Sequence, residues 1–593
     1  MKLCFVGAAA QSVPVDAQTL YISNDWASRQ ALLSRGIKPV HLEDVFAPEE
    51  NDALMRQVTE AAARWHHVGA EDLTRFANLS LGAPLDWTLW WRTFIPVFKT
   101  TTAAARLIQQ TTPSEILWGS GLDPRWELAL LAARDRWAPH APVRYLTARN
   151  AELDTSVNSR TLRLATITRR HQVAFAASNL VSRIARLARR GRRPLVYFNY
   201  QTLNGMLGAI LRDPLRRFDV LFANRPEGQM WLSGLAQGAQ FLLPASYTLT
   251  ANETRELERL RKRWHELCAT PEYQARFCWS GVDAWPILQN DLDSVFAHDL
   301  PITARLARGY QQALSDARPA CITMPSDAPY LQRLLIEVAR PLNIPSIVLL
   351  HGLPPTDDRF GEYLQADYVF AWGPAMQDLF AGFGSALQRI KTVGFPKLDA
   401  YYDRKNEYAR RKAQRTSCNI LILGQTKSGH VTIIGTDDEA EVHLQNVLEA
   451  LQGLPGIRLS VRPHPSERGD YYGRFLAGLG IPDIPVWAGG PIEPVLQEVD
   501  LVIGEASTVM VEAFAMGIPS LCVQFRRAGY SEPYDGNSGI EVIPDSITLR
   551  QRVSQFLHGE WHDPGWTVLP SYVGEMDGRA TQRTLDALSE IAA

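Results

Sequence analysis

Short apolar runs alternate along the chain with longer segments in which apolar residues recur every three or four positions. Continuous apolar runs of about four to eight residues are typical of strands buried on both faces, whereas the recurring pattern is typical of amphipathic helices. Strands and helices that alternate in this way form parallel sheets covered by helices. The pattern therefore predicts an α/β fold.

The predicted elements fall into three groups. In the first group, strands are predicted at residues 2–6, 19–22, 115–118 and 143–146, and a helix at 125–136. In the second group, strands are predicted at residues 194–198, 219–223, 321–324, 346–350, 368–371 and 389–393, with helices at 254–268 and 302–316. In the third group, strands are predicted at residues 419–423, 458–462, 501–503 and 520–523, with helices at 438–451 and 508–516.

The chain has 593 residues, more than a single hydrophobic core accommodates. We therefore predict an extra amino-terminal α/β domain at residues 1–150 and a basic helical connector at 151–193. Two Rossmann-like domains are expected at 194–415 and 416–593, separated by a polar segment near residues 403–416. Open parallel sheets bind ligands beyond the carboxyl ends of their strands, so functional residues are expected where strands end.

The charges of the chain almost cancel, since 61 Lys and Arg residues accompany 63 Asp and Glu residues and the formal net charge is -2. No overall field then attracts the protein to nucleic acid or to a membrane, and no nucleic-acid partner is expected. The six cysteines lack C-x-x-C spacing, which favours buried thiols in a reducing compartment over disulfides or a zinc site. No apolar run approaches the roughly 20 residues that span a bilayer. These features predict a cytoplasmic location.

In one stretch of the chain the positive and negative charges do not cancel. Residues 155–212 contain no acidic side chain, and arginines are concentrated between positions 160 and 193. Apolar residues at helical spacing indicate a basic amphipathic helix here. It either packs on the domain with a solvated basic face, or rests on anionic lipid or a lipid-diphosphate acceptor at the inner membrane. The sequence leaves both interpretations open.

The first group also contains a cluster of aromatic residues. It consists of Trp87, Trp90, Trp91 and Phe94. Aromatic residues at such spacing usually form a stripe of the hydrophobic core. They can also form a platform on which an acceptor sugar stacks.

The predicted strand at residues 458–462 ends in the sequence R-P-H-P. It places Arg462 and His464 at the carboxyl end of a strand, and prolines on both sides of His464 stiffen the loop. An imidazole beside an arginine suits phosphate oxygens, which both groups contact through charge-assisted hydrogen bonds. We predict that Arg462 and His464 bind the phosphate of a nucleotide.

A second segment with the features of a phosphate-binding site follows the predicted strand at 501–503. Ser507 and Thr508 stand where the next helix begins, and the amides of its first turn together with the helix dipole favour an anion. Glu512 lies one turn further on, where a carboxylate accepts hydrogen bonds from ribose hydroxyls. Ordinary helix capping with a solvated glutamate is the alternative.

A third loop follows the strand at 419–423 and has the sequence G-Q-T-K-S-G-H. Thr426 and Lys427 offer hydrogen-bond donors there, although the loop lacks the spacing of a P-loop. Lys427 either contacts a diphosphate or is solvated. Both residues are candidates for the nucleotide site.

Two residues of the middle group are candidates for acid–base catalysis. His351 follows the strand at 346–350 in the sequence H-G-L-P-P, and Asp327 follows the strand at 321–324. Either group could deprotonate or orient an acceptor hydroxyl. A structural hydrogen bond is the alternative for His351, and helix N-capping is the alternative for Asp327.

From about residue 345 to 525 these motifs resemble the bacterial enzymes of surface-polysaccharide synthesis that have two Rossmann-like domains facing a cleft, the GT-B fold. The shared pattern is His-Gly-x-Pro, V-G-F-P-K-L-D, R-P-H-P and S-T-x-x-x-E-A-x-x-x-G-x-P. CDP-glycerol glycerophosphotransferases and capsule-type sialyl- and Kdo-transferases are the most similar. The resemblance implies that His464, Ser507 and Thr508 hold the donor phosphate, that His351 is catalytic or orients the acceptor, and that Glu512 corresponds to the helix glutamate.

The resemblance makes residues 194–415 the acceptor-side domain and 416–593 the donor-binding domain. It implies transfer of a sugar or related group from a CMP- or CDP-activated donor to a glycan or lipid-linked glycan acceptor. No metal or other cofactor is expected, because the Asp-x-Asp pair at Asp291 and Asp293 follows no predicted strand. Retaining hexosyltransferases carry two glutamates separated by seven residues, whereas Glu505 and Glu512 are separated by six. A UDP-sugar transferase or 2-epimerase-like enzyme and a non-catalytic glycan- or nucleotide-binding scaffold are the alternatives.

Overall fold

A computed structural model gives the structure of the protein. It describes residues 1–6, 13–23, 26–41, 45–119, 124–146, 193–225, 228–353, 364–382, 384–402, 417–424, 439–464, 469–525, 534, 541–562 and 567–593. Thr426, Lys427 and nearly all of the predicted basic connector lie outside these residues.

The amino-terminal sheet is parallel and has five strands. They are β1 (Lys2–Phe5), β2 (Thr19–Ser23), β3 (Val40–His41), β4 (Glu115–Trp118) and β5 (Val143–Tyr145), in the order β3-β2-β1-β4-β5. Helices Trp26–Leu33, Pro48–Arg64, Ile95–Thr111 and Pro124–Trp137 connect them. The strand predicted at residues 2–6 is thus present as β1, and the structure places it at the centre of the sheet.

The middle sheet is also parallel and has seven strands. They are β6 (Arg193–Tyr197), β7 (Phe218–Phe222), β8 (Gln240–Phe241), β9 (Cys321–Met324), β10 (Ser346–Leu349), β11 (Tyr368–Ala371) and β12 (Ile390–Thr392). Their order is β8-β7-β6-β9-β10-β11-β12. Its helices include Asn204–Arg212, Gly228–Ala236, Pro374–Gly382 and Asp399–Tyr402. Helix Tyr330–Ala339 follows β9 in the chain but belongs to the compact unit that does not hold this sheet.

The third sheet has five parallel strands in the order β14-β13-β15-β16-β17. They are β13 (Cys418–Leu423), β14 (Ile457–Arg462), β15 (Leu501–Gly504), β16 (Ser520–Val523) and β17 (Val542–Ile543). Helices Glu439–Leu451, Gly469–Gly478, Glu493–Leu496, Thr508–Ala515 and Ser546–Leu557 accompany them. The last two helices, Leu569–Val573 and Ala580–Ile591, pack against elements of the middle sheet. The predicted α/β class with Rossmann-like parallel sheets is confirmed.

A helical insertion separates β8 from β9. It contains helices Ala251–Cys268, Pro271–Gln274, Trp285–Ser294 and Leu300–Ala317. Trp264 is fully buried and stacks on Phe296, with 4.5 Å between ring centres. Asp291 and Asp293 lie in the last turn of helix Trp285–Ser294, so this Asp-x-Asp pair does not stand at the end of a strand.

The contacts divide the chain into two compact units. One comprises Met1–Ala176, Leu242–Arg318 and Asp327–Ile344, and the other comprises Ala177–Phe241, Pro319–Ser326 and Pro345–Ala593. The second unit therefore holds both the middle and the third sheet. The four domain ranges given above remain predictions. In the described part of the chain, no helix is long and apolar enough to cross a membrane.

The aromatic cluster of the first unit divides between core and surface. Trp90 and Phe94 are buried, and the indole nitrogen of Trp90 donates to Thr59 Oγ1 over 3.1 Å. Trp87 and Trp91 are half-buried, with 5.5 Å between their ring centres. Trp90 and Phe94 thus belong to the hydrophobic core, as the first interpretation of the cluster predicts.

Candidate functional site

The strand order of the middle sheet reverses between β6 and β9. From β6 the sheet continues to β7 and β8, and from β9 it continues to β10, β11 and β12. A ligand binds such a sheet in the crevice beyond the carboxyl ends of the strands at the reversal. Tyr200 follows β6, Pro325 follows β9 and His351 follows β10. These residues therefore lie at the edge where a ligand is expected.

His351 is half-buried, and two neighbours fix its orientation. Its Nδ1–H donates to the carbonyl oxygen of Pro325 over 2.8 Å, and the ring of Tyr200 lies edge-on to it at 4.9 Å between ring centres. Burial lowers the pKa of His351, although the hydrogen bond to Pro325 acts in the opposite direction. The imidazole is therefore neutral near pH 7 and carries its lone pair on Nε2.

Asn199 is buried beside Tyr200 at the end of β6. The side chain of Asn224 accepts from the Asn199 backbone nitrogen over 2.7 Å and donates to the Asn199 carbonyl oxygen over 2.8 Å. The Asn199 side-chain nitrogen donates to Asn204 Oδ1 over 3.1 Å. Asn199 Oδ1 has no hydrogen-bond partner among the described residues. A buried oxygen of this kind is costly unless a bound group or water satisfies it.

The strand order of the third sheet reverses between β13 and β15, so a second ligand edge is expected there. Gly504 ends β15 so close to β13 that a Cβ on it would lie 2.7 Å from the Cβ of Leu423. The next residue, Glu505, is buried, and its Oε1 lies 3.3 Å from Nδ1 of the buried His443. A buried acid–histidine pair thus stands at the start of the loop that leads to helix Thr508–Ala515.

The amino-terminal end of helix Thr508–Ala515 lies near the loop that carries His351. Ser507 is the N-cap, and its Oγ accepts from the Val509 nitrogen over 3.3 Å. Thr508 Oγ1 lies 3.4 Å from the backbone nitrogen of Leu353, two residues after His351. A Cβ on Gly352 would lie 3.0 Å from the same hydroxyl. The predicted anion site and the predicted base therefore occupy one region of the second unit.

Arg462 ends β14 and is buried. Its guanidinium donates to three backbone carbonyls, those of Trp487 at 2.7 Å, Gly489 at 2.5 Å and Gly490 at 2.6 Å. Burial lowers the pKa of Arg462, whereas the charges of Glu512 and Glu493 raise it. Arg462 thus holds the loop at residues 487–490, a role that the sequence did not indicate. The contact of Arg462 with phosphate remains a prediction. His464 follows two residues later and is half-buried.

Glu512 is buried in the middle of its helix, and each carboxylate oxygen accepts a hydrogen bond from the segment after β12. Lys397 Nζ lies 2.7 Å from Oε1, and the Tyr401 hydroxyl lies 2.6 Å from Oε2. Burial raises the pKa of Glu512, and the charge and hydrogen bond of Lys397 oppose that shift. Glu512 thus joins the third-sheet helix to the segment that follows the middle sheet. Its predicted contact with ribose remains a prediction.

Asp327 belongs to the other compact unit. Its carbonyl oxygen accepts from Arg333 Nε over 3.1 Å. Pro329, and not Asp327, occupies the N-cap position of helix Tyr330–Ala339. The catalytic role of Asp327 stays a prediction.

Tyr200, Asn199, Lys397 and Tyr401 were not singled out from the sequence. Tyr200 and Asn199 follow a predicted strand, so the rule that led to His351 also applies to them. Lys397 lies in the V-G-F-P-K-L-D motif, but nothing in the sequence pairs it with a glutamate 115 positions away. That pairing required the fold.

No protein-family model matches the chain, and no curated protein matches its sequence. Among solved structures it is similar to the UDP-GlcNAc 2-epimerase of Neisseria meningitidis, at 13% identity over 68% of this chain and 100% of that chain, with a TM-score of 0.42. It is also similar to a glycosyltransferase from Rickettsia africae, at 11% identity over 68% and 99% of the two chains, with a TM-score of 0.38. A lipopolysaccharide outer core galactosyltransferase gives the same four values. At this identity and TM-score the likeness identifies neither a substrate nor a reaction.

Proposed function

We propose that this chain is a glycosyltransferase or related group transferase that uses a CMP- or CDP-activated donor and a hydroxyl of a surface-glycan acceptor. One observation carries the proposal: the 3.4 Å approach of Thr508 Oγ1 to the Leu353 nitrogen brings a helix amino terminus beside the loop of a neutral histidine. A group transfer needs both features together, because the acceptor must lose a proton while the leaving nucleotide gains negative charge.

On the acceptor side, His351 is the general base. Its Nδ1–H is committed to Pro325, so Nε2 is the nitrogen that takes the proton of the acceptor hydroxyl. The acceptor oxygen then forms a bond to the transferred group, and the bond from that group to the nucleotide phosphate breaks. Tyr200 keeps the imidazole in place through its edge-on contact. Oδ1 of Asn199, which no described residue contacts as a donor, is suited to accept a hydrogen bond from a second acceptor hydroxyl.

On the donor side, the leaving phosphate binds at the start of helix Thr508–Ala515. The first-turn amides, the side chains of Ser507 and Thr508, and the imidazole of His464 supply donors for its oxygens. Lys427 and Thr426 are further candidates for this group. In this scheme hydrogen-bond donors and the helix dipole stabilise the developing charge, and no metal is needed.

A thermal-shift screen of the full chain with CMP, CDP, UDP and GDP tests the proposal. We expect CMP or CDP to raise the melting temperature, and we expect that shift to vanish in His464→Ala and to shrink in Thr508→Ala. Ser546→Ala is the matched control, because Ser546 is the first residue of another helix in the same unit. Stabilisation by UDP alone would favour the UDP-sugar enzyme. Stabilisation by none of the four would favour the scaffold.

We also propose that the arginines of residues 160–193 attract the chain to an anionic membrane surface, where a lipid-linked acceptor is found. Each basic residue near such a surface contributes about 1 kcal/mol. Replacing four of these arginines by glutamine should weaken sedimentation with vesicles that contain anionic lipid. Unchanged sedimentation would show that this stretch is only a solvated face.

A further inference from the structure

The helical insertion of the first unit contains a group of side chains with three different metal-binding atoms. His265, Cys268 and Asp293 each offer one ligand atom, and these atoms lie within 4.8 Å of one another. We propose that the three residues bind a divalent cation of the zinc type, with water at the fourth position. The site belongs to the other compact unit from His351 and Thr508, so it stands independently of the function proposed above.

Two of the ligands lie on one face of one helix. His265 and Cys268 are three residues apart in the last turn of helix Ala251–Cys268, and side chains with this spacing are neighbours on a helix surface. The last turn is also the negative end of the helix dipole, which favours a cation there. His265 is exposed and Cys268 is buried. A metal can therefore enter from solvent and be held against the core.

The third ligand comes from a second helix and is already oriented. Asp293 lies in helix Trp285–Ser294, and its Oδ1 accepts a hydrogen bond of 2.5 Å from the indole nitrogen of the buried Trp264. Metal-binding carboxylates are commonly held by such an outer hydrogen bond, which fixes their direction and leaves further lone pairs for the metal. A bound ion would join the end of helix Ala251–Cys268 to helix Trp285–Ser294.

The chemistry of the donors indicates the class of ion. A thiolate, an imidazole and a carboxylate are the ligands that Zn²⁺ accepts in tetrahedral sites, whereas Mg²⁺ and Ca²⁺ prefer oxygen alone. The thiolate and the carboxylate together bring two negative charges, which a divalent ion neutralises. Tetrahedral ligands around zinc are about 3.3–3.8 Å apart, as bond lengths of roughly 2.0–2.3 Å require. Rotation of the exposed His265 side chain can close the remaining distance.

Among the described residues one other group offers three ligand atoms, namely His66, His67 and Asp72. There both imidazole nitrogens of His66 already face carboxylates, Asp72 at 2.9 Å and Asp86 at 3.2 Å. The proton of His66 occupies the place that a metal would need. Of these two groups, only His265, Cys268 and Asp293 include a thiol. A cation can bind there when the thiol of Cys268 loses its proton.

Titration of the reduced, metal-stripped full chain with Co²⁺ tests the proposal, because a cobalt–thiolate bond has its own charge-transfer absorption. We expect one equivalent of Co²⁺ to produce this band and Zn²⁺ to remove it. Binding converts the Cys268 thiol to a thiolate and releases its proton to solvent. Cys268→Ser should abolish the band. His265→Asn and Asp293→Asn should each weaken Co²⁺ binding about tenfold or more.

Cys278→Ser is the matched control, because Cys278 is an exposed thiol in the same insertion. It should bind Co²⁺ as the unaltered chain does. His265→Asn changes an exposed side chain, so it stays informative if Cys268→Ser fails to fold. Absence of the band, its loss in Cys278→Ser, or unchanged affinity in both His265→Asn and Asp293→Asn would each overturn the proposal.

Discussion

The Nδ1–H of His351 donates to the carbonyl oxygen of Pro325 over 2.8 Å, and this bond decides which nitrogen of the ring can act as a base. A carbonyl oxygen only accepts hydrogen bonds, so Nδ1 must carry the proton. The bond joins the ends of two neighbouring strands, β9 and β10. The sheet itself thus sets the chemistry of the histidine.

Replacing His351 by glutamine should lower kcat about 100- to 10,000-fold, because a general base is lost, while nucleotide binding in the thermal-shift screen stays unchanged. The measurement is transfer or hydrolysis of the donor that the screen identifies. His558→Gln, an exposed histidine of the same unit, is the control. Equal rates for His351→Gln and the unaltered chain would remove His351 from the mechanism.

The pH profile offers a separate check on His351. Burial lowers its pKa below the ordinary value of 6.5, and a base acts only when it is unprotonated. The rate should therefore stay high as the pH falls to 6.5 and decline only below it. A decline that begins well above pH 6.5 would contradict the assignment.

Asn199→Ala should raise the KM for the acceptor about tenfold, because a buried oxygen without a donor among the described residues is lost as a partner for substrate. Donor binding should not change, since Asn199 belongs to the middle sheet. Steady-state kinetics at varied acceptor concentration measure the effect. An unchanged KM would mean that water, not substrate, occupies this position.

Breaking the pair between Lys397 and Glu512 should destabilise the second unit. Lys397→Met leaves a buried carboxylate without its counter-charge and should lower the free energy of unfolding by about 3 kcal/mol. Adding Glu512→Gln should restore part of that loss, because the uncompensated charge is removed. Urea denaturation of the single and double variants measures the coupling.

Lys391→Met provides the comparison for this cycle. Lys391 Nζ lies 3.0 Å from Oε1 of Glu590, whose side chain is mostly exposed. An exposed ion pair contributes less than about 1 kcal/mol. If Lys397→Met cost no more than Lys391→Met, the buried pair would have no special role in stability.

The first unit should become less stable at alkaline pH, because His66 then loses its proton. Burial opposes its protonation, but the charges and hydrogen bonds of Asp86 and Asp72 outweigh burial and raise the pKa of His66 to about 9. The unfolded value is near 6.5, so the folded state holds one more proton between these two pH values. Its stabilisation is complete below pH 6.5 and is lost as the pH rises through 9.

The expected loss is about 3 kcal/mol in the free energy of unfolding, since the pKa difference is about 2.5 units. Urea denaturation at several pH values between 6 and 10 measures it. The pH dependence should be absent in His66→Gln and retained in His558→Gln. The same slope in His66→Gln as in the unaltered chain would contradict this account.

Gly504→Ala should destabilise the third sheet by about 1–3 kcal/mol, because the new Cβ would meet Leu423 at 2.7 Å between two paired strands. Gly473→Ala is the control. Gly473 lies in helix Gly469–Gly478 with nothing within 4 Å of a Cβ, so alanine there should be neutral or stabilising. Thermal denaturation of both variants gives the comparison, and equal behaviour would contradict the close approach of the strands.

The sequence located most strands because buried parallel strands are continuous apolar runs. The predictions for residues 115–118, 321–324, 368–371 and 520–523 agree with β4, β9, β11 and β16 at both ends. Within the three parallel sheets, the strands that were not predicted are β3, β8 and β17, and each has two residues. A run of two apolar residues carries no periodicity, and only pairing with a neighbouring strand makes it part of a sheet.

The sequence by itself determined which residues stand at strand ends and helix starts, since those positions follow from local pattern and capping chemistry. It placed His351 after a strand and Ser507 before a helix, and both predictions of position are confirmed. Only the tertiary structure decided their partners: Pro325 for His351, Leu353 for Thr508, and Lys397 for Glu512. Such contacts depend on the order of strands within a sheet and on the packing between sheets. Both are set by long-range pairing, which no short window of sequence encodes.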